Sequence, residues 1–134
     1  MHTIDHLGIA VRSLQQARKF YEQLGLKVAS EEEVPHEKVK VAMIALGKSR
    51  IELLESTSPD SVVAKFLEKR GEGLHHVAIQ VPDLARAVET LKTSGTRFIS
   101  EEIKIGAGGH RYVFVHPSSA GGVLLELVQE PETP

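Results

Sequence analysis

Two histidines and two glutamates mark this chain as one that could hold a metal. His6 sits in "DHLGIAV" and His76 in "HHVAIQV", while Glu52 sits in "IELLE" and Glu126 in "LELVQ". Imidazole and carboxylate together suit a divalent ion such as cobalt, nickel, zinc, manganese or iron. Four protein ligands in an octahedral sphere leave two positions, which a substrate could fill with two oxygens. Ile51 and Leu53 flank Glu52, and Leu125 and Leu127 flank Glu126. A carboxylate set among apolar neighbours on a strand is not a solvated charge, and buried alone it is costly, so it calls for a partner or a metal. Any single strand histidine or edge glutamate is more often an ordinary structural residue. It is the four together that point to an ion.

What relates the four is an internal repeat. "IDHLGIAVRSLQQARKFYEQLGLKVASEE" (4–32) aligns without a gap on "LHHVAIQVPDLARAVETLKTSGTRFISEE" (74–102) at an offset of 70, with 9 of 29 positions identical. Self-similarity on this scale decides the fold before any local motif does. Each copy opens with an alternating strand, 4–11 or 74–81. A helix follows, with Ser13 and Asp83 as N-caps and Gly25 and Gly95 where a C-terminal glycine belongs. Leu14, Ala17, Phe20, Tyr21 and Leu24 recur at helical spacing, as do Leu84, Ala87, Val88 and Leu91. Strands are expected at about 26–34, 39–47 and 50–56, then at about 97–105, 110–116 and 122–129. "IELLE" and "LELVQ" align at an offset of 74, so four extra residues fall in the hairpin around "HPSSAGG". The chain thus reads as one α+β domain, 1–134, of two tandem βαβββ modules, about 3–56 and 73–130. They are joined by a helix within 57–72, with Pro59 near its start and Gly71 after its end.

Strand parity assigns the faces, because neighbouring side chains on a strand point opposite ways. Leu7, Ile9 and Val11 form one face of the first strand, and His6, Gly8 and Ala10 the other. In the second copy Val77, Ile79 and Val81 oppose His76, Ala78 and Gln80. The bulky faces should pack on the helices, and the small ones leave room for a ligand. Of the adjacent histidines, His76 points to the ligand face. His75 has the wrong parity and sits at the strand start, within reach of solvent.

Composition excludes several other classes. With 16 Lys and Arg against 18 Asp and Glu, the net charge of −2 gives no broad basic field, which argues against nucleic acid as a partner. The absence of cysteine excludes thiol nucleophiles, disulfides and thiolate metal sites. No stretch approaches the roughly 20 apolar residues that span a bilayer, and "MHTIDHLGIAV" does not read as a signal peptide. A cytoplasmic location and no membrane partner are expected.

Over residues 3–130 the sequence resembles the vicinal oxygen chelate superfamily, and within it the methylmalonyl-CoA epimerases. "DHLGIAV", "IELLE", "VAKFLEKRGEGLHHVAIQV", "SEEIKIGAGG" and "HPSSAGGVLLELVQ" carry the likeness, the last two most specifically. The resemblance implies paired βαβββ modules whose eight strands form a curled, open barrel around a metal. It also implies that His6, Glu52, His76 and Glu126 are the four ligands of one divalent ion, cobalt by preference. The implied activity interconverts (2R)- and (2S)-methylmalonyl-CoA by proton transfer through an enolate. Glu126 and Glu52 would be the bases on the two faces of the substrate carbon. An acyl-CoA substrate and a homodimer are implied as well. Some epimerases carry glutamine where this chain has Glu52, and some a separate glutamate about where Val41 lies. The set His, Glu, His, Glu is also that of bacterial glyoxalase I, which is the alternative reading; a metal-free binding protein of the same superfamily is a third.

Three features carry less. "KIGAGGH" (104–110) has glycines that could bring backbone amides to an anionic oxygen, or could simply form a hairpin turn. Lys65, Lys69 and Arg70 read as a solvated helix face before they read as contacts to coenzyme A phosphates. His116-Pro117 starts a loop.

Overall fold

The computed structural model describes residues 2–131, and among them it has eight strands and three α-helices in the order β1 (Thr3–Ala10), α1 (Leu14–Gln23), β2 (Val28–Val34), β3 (Val39–Leu46), β4 (Ser49–Ser56), α2 (Val62–Arg70), β5 (Gly73–Gln80), α3 (Leu84–Thr93), β6 (Lys104–Ile105), β7 (Arg111–Val115) and β8 (Leu125–Gln129). The βαβββ unit expected from the repeat therefore occurs twice, and the fold is α+β. The chain divides into two compact units. One is His6–His75, and the other is His76 onward together with the residues before His6. The strands of the first module lie in the order β2-β3-β4-β1, and those of the second in the order β5-β8-β7-β6.

In each module the first strand runs parallel to the last, and the register is the same. Gly8 faces Glu52 and Ile9 faces Leu53 in β1 and β4; Ala78 faces Glu126 and Ile79 faces Leu127 in β5 and β8. The offsets of 70 and 74 read from the sequence are thus the offsets of the paired strands. Met43 faces Glu52 as Phe114 faces Glu126, an offset of 71, so three of the four extra residues lie in the loop after β7, with its 3-10 turn Pro117–Ser119, and one lies before β7 rather than in the hairpin.

The helices cover the bulky faces, as parity requires. In the first unit Val11, Leu14, Ala42, Ile44 and Leu53 form a buried cluster with Ile9, Ala17 and Tyr21 packed on it. In the second, Val81, Leu84, Val88, Val113, Val115 and Leu127 do the same with Ile79, Ala87 and Leu91. Each fully buried aliphatic side chain contributes on the order of 1.5–3 kcal/mol. The helix starts obey the repeat too. Ser13 and Asp83 cap their helices through the N–H groups of Gln16 and Arg86. A side chain from the last strand of each module serves a second N–H: Leu14 N donates to Glu55 Oε1 at 2.9 Å, and Leu84 N to Gln129 Oε1 at 2.8 Å. These bonds satisfy amides that no helix can satisfy for itself, and they tie each helix to its sheet. Gly25 and Gly95 follow their helices at φ +96° and +87°, values that disfavour any side chain.

Three expected elements differ. The strand expected over 97–105 is reduced to Lys104–Ile105 and an isolated bridge between Phe98 and Val115. Between them Ser100 Oγ accepts from Glu102 N at 3.3 Å, a local side-chain bond that competes with the ladder. The connecting helix starts only at Val62, because buried Ser61 is its N-cap through Ala64 N; Pro59 stays in the preceding turn. The strand expected from 122 starts at Leu125, since Gly121 and Gly122 turn at positive φ. None of the helices among the described residues is long and apolar enough to cross a membrane.

Glu55→Ala and Gln129→Ala should each lower stability by about 1 kcal/mol, read as a lower denaturant midpoint with unchanged slope. Lys38, with Ser58, holds the Asp60 carboxyl below the ordinary 3.8, at about 2. A carboxyl depressed on folding stabilises the fold above its unfolded value, and that contribution is lost as pH falls toward the folded one. Asp60→Asn should therefore make the loss of stability between about pH 4 and pH 2 shallower, as measured by denaturation at each pH.

Candidate metal centre

The parity argument places His6 and Glu52 on one face of the first unit, and His76 and Glu126 on one face of the second. The structure brings each pair into contact. His6 Nδ1 lies 3.3 Å from Glu52 Oε2, and His76 Nε2 lies 3.0 Å from Glu126 Oε1. All four residues are buried, with exposures of 3%, 5%, 5% and 7% for His6, Glu52, His76 and Glu126. Two ligand atoms bound to one ion at about 2.1 Å and at right angles stand about 3 Å apart. Each His–Glu pair therefore has the spacing of neighbouring ligands on a divalent ion. Nitrogen and carboxylate oxygen are also the donor types that such an ion takes.

The surroundings of the two pairs differ. Across from Glu52 on β3 stands Met43, and across from Glu126 on β7 stands Phe114. The Phe114 ring meets the His76 ring edge-on at 5.3 Å, and Tyr112 meets Phe114 at 5.7 Å. Ala78, Tyr112 and Val128 form a small buried cluster there, so the space beyond His76 is partly filled by aromatic rings. Gly106 lies close beneath this wall: a Cβ there would stand 3.0 Å from the Tyr112 ring, tighter than ordinary contact. In the first unit Arg50 joins the pair, its Nε donating to Glu52 Oε2 at 2.8 Å. Period-two alternation would have flagged Tyr112, Phe114 and Arg50 only through their parity with a glutamate. Asp5, next to His6, is buried as well, and although strand parity would turn it away, a carboxylate oxygen of it lies within 4.8 Å of ligand atoms of His6 and Glu52.

The remaining residues fall into structural roles. His75 is half-buried, and its ring packs edge-on to Phe66 at 5.0 Å. Val41 is a buried core residue opposite Leu54 and offers no base. In the 104–110 segment, Gly106 N donates to His110 O at 2.9 Å and Gly109 N to Gly106 O at 3.1 Å, so these amides close a hairpin turn and do not cradle an anion. Lys65, Lys69 and Arg70 are exposed. His116 Nδ1 accepts from Ser118 N at 3.0 Å and caps the turn that follows.

A sequence profile described as "Glyoxalase/Bleomycin resistance protein/Dioxygenase superfamily" matches residues 5–114. The chain belongs to this superfamily. Its relatives in the superfamily include the mitochondrial methylmalonyl-CoA epimerase of Bos taurus, 43% identical over 94% of this chain and 73% of the relative. The ethylmalonyl-CoA/methylmalonyl-CoA epimerase of Cereibacter sphaeroides is 39% identical over 94% of this chain and 96% of the relative. Among solved structures of the superfamily, Streptomyces coelicolor methylmalonyl-CoA epimerase in complex with 2-nitronate-propionyl-CoA superposes with a TM-score of 0.93 at 36% identity, covering 98% of each chain. Within the superfamily the chain thus groups with epimerases, which are isomerases.

Parity and packing predict opposite outcomes for the two neighbouring histidines. His76→Ala should abolish Co²⁺ uptake by the metal-stripped protein, whereas His75→Ala should bind close to the wild-type amount. Metal analysis after dialysis reads both. Equal losses would mean that the register of β5 is wrong.

Proposed function

We propose that this protein is a methylmalonyl-CoA epimerase in which His6, Glu52, His76 and Glu126 together hold one divalent ion. Cobalt is the preferred metal, with nickel, zinc, manganese or iron as alternatives. The observation that carries the reading is the pair of buried His–Glu contacts at equivalent positions of two repeated modules, in a chain whose relatives bear that activity. The substrate is an acyl-CoA whose reacting carbon lies between a thioester and a carboxylate.

The proton on that carbon is only weakly acidic, and its removal leaves an enolate. A bound divalent ion would supply Lewis-acid stabilisation of the charge that develops on the substrate oxygens. The protein's own side chains hold the carbon in place and move the proton. Inversion needs a base on each face of the carbon, each able to return what it takes. Glu126 and Glu52 come from different modules and serve the two faces. The two bases differ in their partners, since Glu52 Oε2 also accepts from Arg50 Nε. Phe114, edge-on to His76 and across from Glu126, forms an apolar wall on that half of the site.

The deciding assay gives the purified protein each epimer of methylmalonyl-CoA and, separately, methylglyoxal with glutathione. Epimerisation alone is expected, lost on chelation and restored by Co²⁺. Turnover of the glutathione adduct without epimerisation would favour glyoxalase I. Glu52→Gln and Glu126→Gln, once loaded with metal, should both fail at net epimerisation. In deuterated water each should still exchange the α-hydrogen of one epimer, and the two variants should retain opposite epimers. A metal-loaded variant that epimerises at the wild-type rate would show its glutamate to be a ligand only.

A further inference from the structure

The repeat is broken in charge beside one of the two glutamates. Arg50 precedes Glu52 by two residues on β4, shares its face, and donates from Nε to Glu52 Oε2 at 2.8 Å. The same oxygen lies 3.3 Å from His6 Nδ1. Arg50 is one-fifth exposed, whereas the Glu52 carboxylate is almost wholly covered. At the offset of 74 that relates Glu52 to Glu126, the counterpart of Arg50 is Leu124. One module thus carries a permanent cation where the other carries an aliphatic side chain.

We propose that Arg50 is a positioning residue: a resident counter-ion that holds Glu52 in one orientation and competes with the divalent ion for it. This rests on the metal reading above. A buried carboxylate needs a positive or hydrogen-bonding partner whether or not a metal is present. Arg50 supplies one, so the first half of the site is assembled before any ion arrives. A guanidinium cannot shed its charge. An ion bound to the same carboxylate therefore sits beside a fixed like charge, in surroundings where little water screens it. The ion is held less tightly than the same four ligands would hold it without the arginine.

Three variants separate charge from hydrogen bonding. Arg50→Leu copies the second module, Arg50→Gln keeps a donor without the charge, and Arg50→Lys keeps the charge. Co²⁺ affinity is read by titrating metal-free protein against a competing chelator, and the stability of the metal-free protein by denaturant. Arg50→Leu and Arg50→Gln should bind Co²⁺ at least about tenfold more tightly, while Arg50→Lys stays within about threefold of wild type. The metal-free Arg50→Leu protein should unfold at a lower midpoint, and adding Glu52→Gln, which removes the stranded charge, should raise that midpoint again. Should Arg50→Leu not fold, Arg50→Gln carries the same comparison. Unchanged or weaker Co²⁺ binding in both uncharged variants would overturn the competition, and an unchanged metal-free midpoint would overturn the counter-ion role. Wild-type protein that takes up no Co²⁺ would instead overturn the metal reading, and the competition with it, while the midpoints still decide whether Arg50 is the partner of Glu52.

Discussion

A carboxylate that folds into a protein interior must find positive or hydrogen-bonding partners there, and Glu52 and Glu126 impose this condition twice. The chain meets it with a parallel pairing of the first and last strands of each module. That pairing sets Glu52 beside Gly8 and Glu126 beside Ala78. A histidine two residues earlier on the neighbouring strand then falls on the same face, within 3.3 Å in one case and 3.0 Å in the other. The small residues at positions 8, 10 and 78 follow from the same geometry, since a bulky side chain there would stand over the pair. The helices and their caps hold the opposite faces, so a one-residue slip in either pairing would put the histidine in the apolar core and an aliphatic side chain in the site.

Much of this is written in the sequence because it depends on period and offset. The shift of 70 between the strand–helix halves, and of 74 between the last strands, reappears as identical register in both modules. Ser13, Asp83, Gly25 and Gly95 act through local backbone chemistry, which spacing reveals. What stayed hidden depends on competition between local and non-local bonds. Ser100 draws the chain out of the ladder that its counterpart Ser30 joins in β2. Ser61, and not the more conspicuous Pro59, sets the start of α2. Tyr112 and Phe114 read as ordinary strand residues, and only the β7–β8 register turns them toward Glu126. Arg50 falls in the expected strand 50–56 with the parity of Glu52, but only its bond to Glu52 gives it a role.

The two modules share a scaffold and differ in what surrounds the glutamate. Glu52 has a guanidinium on one oxygen and Met43 across the strand, whereas Glu126 has Phe114 in the corresponding place. A substrate that presents the same proton on either face needs bases on both sides, but nothing requires those bases to be alike. Duplication explains how two carboxylates came to equivalent positions. The departures from exact repetition give one of them a fixed, charge-paired setting and the other an aromatic one.

Whether the two buried His–Glu pairs share one ion decides the proposed function. Crystals grown with Co²⁺ and measured at the cobalt absorption edge test it most directly. A single anomalous peak per chain, bonded to His6, Glu52, His76 and Glu126, is expected. Two separate peaks, one on each pair, or a peak bonded to neither pair, would contradict it.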